Sequence, residues 1–202
     1  RCRVRVAVVQ SQARLDELIG PRESAPIELT RLRVYLANAP LDPRSVVRWL
    51  RRPHVTETLR GMATGALPVD HSSLDQLQQR PATRYFRRLL IEAQVLPKIH
   101  VLQHELTLHV AALAATLERP TGNKLRRFYR WDVLPKLHRR YRDRDRDLSN
   151  EAFIGQRGKL AAVVRFLTWM DARGLAVSDL DQRTLDHYIA RVKTREPVEH
   201  FV

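Results

Sequence analysis

Behind residue 150 the apolar side chains Phe153, Leu160, Val163, Val164, Leu167 and Met170 recur at helical intervals, and Gly174 follows where a helix is commonly closed. Ser149, with Glu151 close behind it, supplies a start. A short connection, LAVSDLD, leads into TLDHYIARV, where Leu185, Tyr188, Ile189 and Val192 repeat the i, i+3, i+4, i+7 spacing. Two such helices joined by a short loop form an α-hairpin. The same period dominates the rest of the chain. Runs of period two and turn dipeptides such as Asn-Gly are missing, so nothing reads as a sheet. The fold class is therefore all-α, a multi-helical bundle of roughly nine or ten helices.

Upstream, VRVAVV at 4–9 reads equally as strand or helix. A first helix is expected over 12–19. Ser24 is expected to cap a second, with Pro26 in its first turn, ending near Asn38. Asp42-Pro43 opens SVVRWLRR, which places Val46, Val47 and Leu50 on one face, and Pro53 is expected to close it. Further helices are expected over 54–62, from Asp70 or His71 to about Gln78, from Pro81 through PATRYFRRLLIEAQVL, and from Pro97 to Leu117. Thr121 is expected to cap the next.

That next stretch is RRFYRWDVLPKLHRRYRDRDRD, residues 126–147, with Phe128, Tyr129, Trp131 and Tyr141 set among basic residues. Pro135 lacks an N–H and clashes with the preceding turn, so either the helix kinks there or two helices meet. The alternation of Asp and Arg over 143–147 offers no apolar face and reads as a solvated helix end or linker. Three parts are expected: a helical N-terminal region over 1–120, a basic helical segment and linker over 121–147, and a helical domain over 148–202. The first residue, Arg1, and the apolar end His200-Phe201-Val202 suggest a piece cut from something longer.

Charge sets the class of partner. The 202-residue chain carries a formal net charge of +14, which repels itself in any compact state. Polyanions are the obvious counterpart. A single cysteine, Cys2, excludes an internal disulfide and a cysteine-rich zinc site. No apolar run approaches the roughly 20 residues of a membrane span.

Catalytic constellations are weak. His100, His104 and His109 sit on one helix with Glu105, but HELTLH departs from HExxH. Residues five apart are rotated by about 140°, so His104 and His109 cannot grip one metal. His71, Ser72 and Ser73 lack the setting of a nucleophile. Gly61 and Gly65 lack the Lys-Ser/Thr of a phosphate loop. Asp179 and Asp181 sit where carboxylates favour a helix start. No cofactor and no metal are expected.

The basic clusters remain. Arg48, Arg51 and Arg52 lie at one helix end, and Arg84, Arg87 and Arg88 on another helix. Lys124, Arg126, Arg127 and Arg130 precede Pro135; Lys136, Arg139, Arg140 and Arg142 follow it; Arg157, Lys159 and Arg165 lie on the long helix. Such groups neutralise phosphates with salt-dependent affinity, and arginine forks also suit guanine edges. The aromatics of 126–147 are assigned to packing with Leu125, Leu134 and Leu137, not to base stacking.

GKLAAVVRFLTWMDARGLAVSDLDQRTLDHYIA, residues 158–190, resembles the core-binding domain of tyrosine recombinases, the phage-integrase family. Phe166-Leu167-Thr168-Trp169-Met170, then Gly174, Leu180 and Leu185-Asp186, hold the places of that domain's helix, glycine, loop and turn into the next helix. RWLRRPHVTETLRGMATGALPVDHSSLDQL and LLIEAQVLP look like the extended N-terminal regions of actinobacterial integrase-like proteins. The closer likeness covers about a sixth of the chain. It implies a SAM-like helical domain that clamps duplex DNA during DNA recombination and integration. In that family a separate domain cleaves the strand with an Arg/Lys/His/Arg set and a tyrosine nucleophile. No such set is found here, so this chain is expected not to be an enzyme by itself, with any catalytic domain removed or downstream.

The expected DNA contacts are Lys124, Arg126, Arg127, Arg130, Lys136, Arg139, Arg140, Arg157, Lys159 and Arg165, on double-stranded DNA. Recombinase subunits or self-association are the other expected partners. The expected place is the cytoplasm, on the nucleoid when DNA is bound, with no membrane. The competing expectation is an assembly module docking on another subunit, with Trp49, Tyr85 and Trp169 in an exposed apolar patch. An RNA-binding role stands behind it.

Overall fold

The computed structural model describes the backbone of residues 2–21, 25–141 and 147–191, and the side chains from Val8 to Ala190 within those spans. Among the described residues there are helices and no strands, an all-α architecture. The chain divides into two compact units, Arg1–Ile99 and His100–Val202. The expected boundary at 120/121 does not appear, because 121–141 shares one core with the helices on either side of it.

The first unit runs α1 (Cys2–Ile19), α2 (Ile27–Asn38), α3 (Pro43–Leu50), α4 (Pro53–Ala63), α5 (His71–Asp75) and α6 (Pro81–Glu92). The VRVAVV stretch lies inside α1, which packs on α2, α3 and α4. Three of these helices open on proline, whose missing N–H costs nothing in a first turn. Pro53 therefore opens α4 where it was expected to close α3. Asp42 and Asp70 cap α3 and α5, accepting bonds from the amides of Ser45 and Ser73. The core joins Leu15, Ile19, Leu32, Trp49, Leu50, Leu59, Met62, Phe86 and Leu90. The expected Ser24 cap lies outside the described residues.

Helix α6 stops at Glu92, earlier than its apolar run suggests. Gln94 takes φ +55°, a conformation usually left to glycine, and the amide of Val95 bonds back to the Leu90 carbonyl. Arg31 donates to the Gln94 carbonyl and helps to hold this closure.

The second unit runs α7 (Val101–Ala115), α8 (Arg119–Phe128), α9 (Leu134–Tyr141), α10 (Asn150–Asp171) and α11 (Gln182–Arg191). Helix α7 starts at Val101, four residues beyond Pro97. Its first amides are satisfied from far along the chain: the Asp147 carboxylate accepts from Leu102 N–H at 2.8 Å and from Gln103 N–H at 3.4 Å. Thr121 is not a cap. It is buried within α8, and its hydroxyl donates to Asp171 of α10. Next to it, a Cβ on Gly122 would sit 2.4 Å from the Ala114 carbonyl oxygen, so only glycine lets α8 approach α7 this closely.

Between α8 and α9 the chain makes one π-helical turn, Tyr129–Val133, in which the Leu134 amide bonds the Tyr129 carbonyl. The wider turn precedes Pro135 and relieves the clash that proline imposes on a regular helix. It also absorbs one extra residue. Leu125, Tyr129, Val133 and Leu137, each four apart, consequently stay on one buried stripe across α8 and α9. That stripe packs with Leu106 and Val110 of α7 and with Phe153, Leu160 and Leu167 of α10.

Ser149 caps α10 by accepting from the Ala152 amide, and Gly174, at φ +66°, closes the turn behind it. Phe166 and Met170 then pack with Tyr188 of α11, backed by Leu185 and Ile189. The expected α-hairpin is this pair. Val192 and Arg142 lie outside the described residues, as does all of 143–147 except Asp147.

Candidate nucleic-acid interface

Burying the Leu125–Leu137 stripe turns the opposite side of α8, the π turn and α9 outward. Arg126, Arg127, Arg130, Lys136, Arg139 and Arg140 are exposed there, and Lys124 is half-buried. On α10, Arg157, Lys159 and Arg165 are exposed. All ten side chains expected to contact phosphate can therefore reach a ligand, but they do not form one face.

Three of them converge. Lys136 and Arg140 of α9 and Lys159 of α10 line one groove with Gln156, over an apolar floor that includes Phe128 and Leu137. Lys136 is paired with Asp132, one helical turn back. The uncompensated charge in the groove comes from Arg140 and Lys159, since no described carboxylate pairs with either. Arg126 leans on Asn123, donating to its side-chain oxygen at 3.1 Å. Arg127 and Arg130 have no described partner.

Two other sites lie elsewhere on α10. The Arg157 guanidinium stands 5.8 Å over the Phe153 ring, and its charge acts on His109 of α7. Together with burial, the larger cause, it pushes the His109 imidazole below its usual range. Arg165 acts instead on Tyr188, towards the α10–α11 hairpin. Two and six residues from Lys159, they point about 200° and 240° round the helix from it, towards different neighbours.

The aromatics of the basic stretch divide. Tyr129 is buried and shares a hydrogen bond with Thr107, and Phe128 and Tyr141 pack against the core. Trp131, expected to pack, is instead 75% exposed between Arg130 and Asp132. It stands two residues from buried Tyr129 and Val133, about 200° round the helix from each, and so faces outward. Of the other tyrosines, Tyr35 donates to Glu92 at 2.6 Å, which pushes its phenol up to about 12. Burial raises the phenols of Tyr85, Tyr129 and Tyr188.

Of the three aromatics expected in an exposed apolar patch, Tyr85 alone is largely exposed, at 44%. Trp49 is 4% exposed, in edge contact with Phe86, and Trp169 is half-buried against Phe166 and Tyr188. Among the described residues no three His, Cys, Asp or Glu side chains gather as a metal site, and no helix is long and apolar enough to cross a membrane.

No family model matches the chain, and no match emerges among curated proteins or among solved structures.

Proposed function

We propose that the second unit is a duplex-DNA clamp of the kind that the core-binding domains of tyrosine recombinases provide, serving recombination or integration without catalytic residues of its own. The groove between α9 and α10 is the observation that carries this reading. Arg140 and Lys159 reach it from two helices with no described carboxylate to neutralise them. Arg126, Arg127 and Arg130 extend the positive surface along the outer side of α8 and the π turn, and exposed Trp131 lies among them. Charges placed this way meet a phosphate backbone and position a duplex without reading its sequence.

The tyrosines agree with a binding role. A strand-cleaving tyrosine needs an accessible phenol, whereas Tyr129 and Tyr188 are buried and Tyr35 donates to Glu92. Catalysis would belong to a further domain, and cytoplasmic or nucleoid residence follows from the same reading.

Anisotropy of a labelled random-sequence duplex tests it. Replacing Arg126, Arg127, Arg139 and Arg140 together by Ala is expected to weaken binding by roughly tenfold or more at low salt. The circular dichroism should not change, because all four side chains are exposed. Equal affinity of variant and parent would refute the clamp.

A further inference from the structure

A second basic groove, of about 330 Å³, lies within the first unit and shares no residue with the clamp. Arg48 and Trp49 of α3 and Arg52 just beyond it form one wall; Pro81, Ala82 and Tyr85 of α6 form the other. Arg48 and Arg52 are exposed, and no described carboxylate pairs with either. Pro81 and Ala82, which line the groove, open α6, a helix with no side-chain cap. Trp49 lines the floor with its indole N–H buried and without a described partner. Tyr85 stands edge-on to Trp49 at 6.2 Å between centroids and is 44% exposed. An open ring surface is thus held in place beside two free guanidinium groups.

Two further neighbours bear on the charge of the groove. Ser45 lines the groove, but its hydroxyl donates to Asp42 at 2.8 Å, so that end is already acidic. The charge of Arg52 also acts on His54, whose imidazole is driven below its usual range first by burial and then by Arg52 and Arg80, with Glu57 opposing.

We propose that this groove binds a single-stranded nucleic-acid segment, with one phosphate between Arg48 and Arg52 and the adjoining base stacked on Tyr85. Unpaired bases are the ligand that uses both halves of the site: phosphate answers the arginines, and only an unstacked base can cover an exposed ring. The inference rests on the nucleic-acid reading of the chain but on none of the residues of the second unit.

The test uses the full chain and a labelled oligothymidylate of about 12 nucleotides, beside the random-sequence duplex. Replacing Arg48 and Arg52 by Ala should weaken oligothymidylate binding roughly tenfold, and Tyr85→Ala roughly fivefold, with Tyr85→Phe close to the parent. Duplex binding should change by less than about twofold in all three. Oligothymidylate affinity within about twofold of the parent after the double replacement overturns the site. A loss in the arginine variant with none in Tyr85→Ala overturns the placement of the base. A parent chain that binds duplex but not oligothymidylate overturns this inference and leaves the clamp standing; the reverse result overturns the clamp alone.

Discussion

In the first unit two arginines are turned inward. Arg87, with 1% of its surface exposed, donates to Asp75 at 2.6 Å and to Nδ1 of His71 at 3.0 Å, while Arg33 donates to the Gly20 carbonyl and pairs with Asp16. In the second unit every arginine whose side chain is described is exposed, and the buried polar ties are neutral or acidic: Thr121 to Asp171, Thr107 to Tyr129, Asp147 to the amides of α7. The same residue type thus serves as an internal strut in one region and as surface charge in the other. A guanidinium can only donate, so Arg87 fixes His71 as the neutral tautomer whose Nε2–H donates to the Pro97 carbonyl. Net charge read from composition blends the two uses; only burial separates them.

Breaking the strut should produce the largest effect. Arg87→Met removes the buried guanidinium that donates to Asp75 and is expected to cost about 3 kcal/mol. Amide exchange should then accelerate in α5 and α6 and not in α10. Adding Asp75→Asn should recover part of the loss, because it removes the charge that Arg87 balanced. Equal acceleration in both units would end the contrast.

The matching weak point in the second unit is steric. Gly122→Ala drives a methyl into the Ala114 carbonyl and is expected to cost about 2 kcal/mol, read as a lower denaturation midpoint with α7 and α8 exchanging faster. Asp147→Ala removes the distant cap of α7, for about 1 kcal/mol. Its exchange signature should be confined to the first turn of α7, whereas Asp147→Asn should retain much of the cap.

Acid should act on both units by the smallest amount. The imidazoles of His54 and His109 are pushed below their ordinary value of 6.5, chiefly by burial, one in each unit. Each is neutral in the fold and binds a proton more readily once unfolded. Their contribution is fully present above pH 6.5 and is lost as the pH falls from there through the lowered values. Chemical-denaturation midpoints measured from pH 7.5 down to 5.5 should fall, and fall less in His54→Gln and His109→Gln; an unchanged slope in those variants would remove these two groups from the account.

What could be read ahead of the structure was local. Prolines at first turns, the Asp42 and Ser149 caps and the Gly174 closure each depend on a few neighbouring residues, and those helices fall near their expected places. What escaped reading depends on partners distant in sequence. Helix α7 begins at Val101 because Asp147 caps it, the turn behind α6 is closed at positive φ by Gln94 rather than a glycine, and Thr121 is held by Asp171 instead of opening α8. The candidate site divides the same way. That the basic side chains are exposed follows from the periodicity of their helices. That Arg140 and Lys159 share a groove depends on how α9 and α10 pack, which the sequence does not show.

The most direct measurement is the salt dependence of duplex binding by the full chain and by its Arg140→Ala/Lys159→Ala variant. Removing one phosphate-binding cation should flatten the plot of log K against log salt by about 0.9, so the variant's slope should be shallower by about 2 than a parent slope of about −4 or steeper. Parallel lines for the two proteins, or a parent slope near zero, would contradict the assignment of this groove to the phosphate backbone.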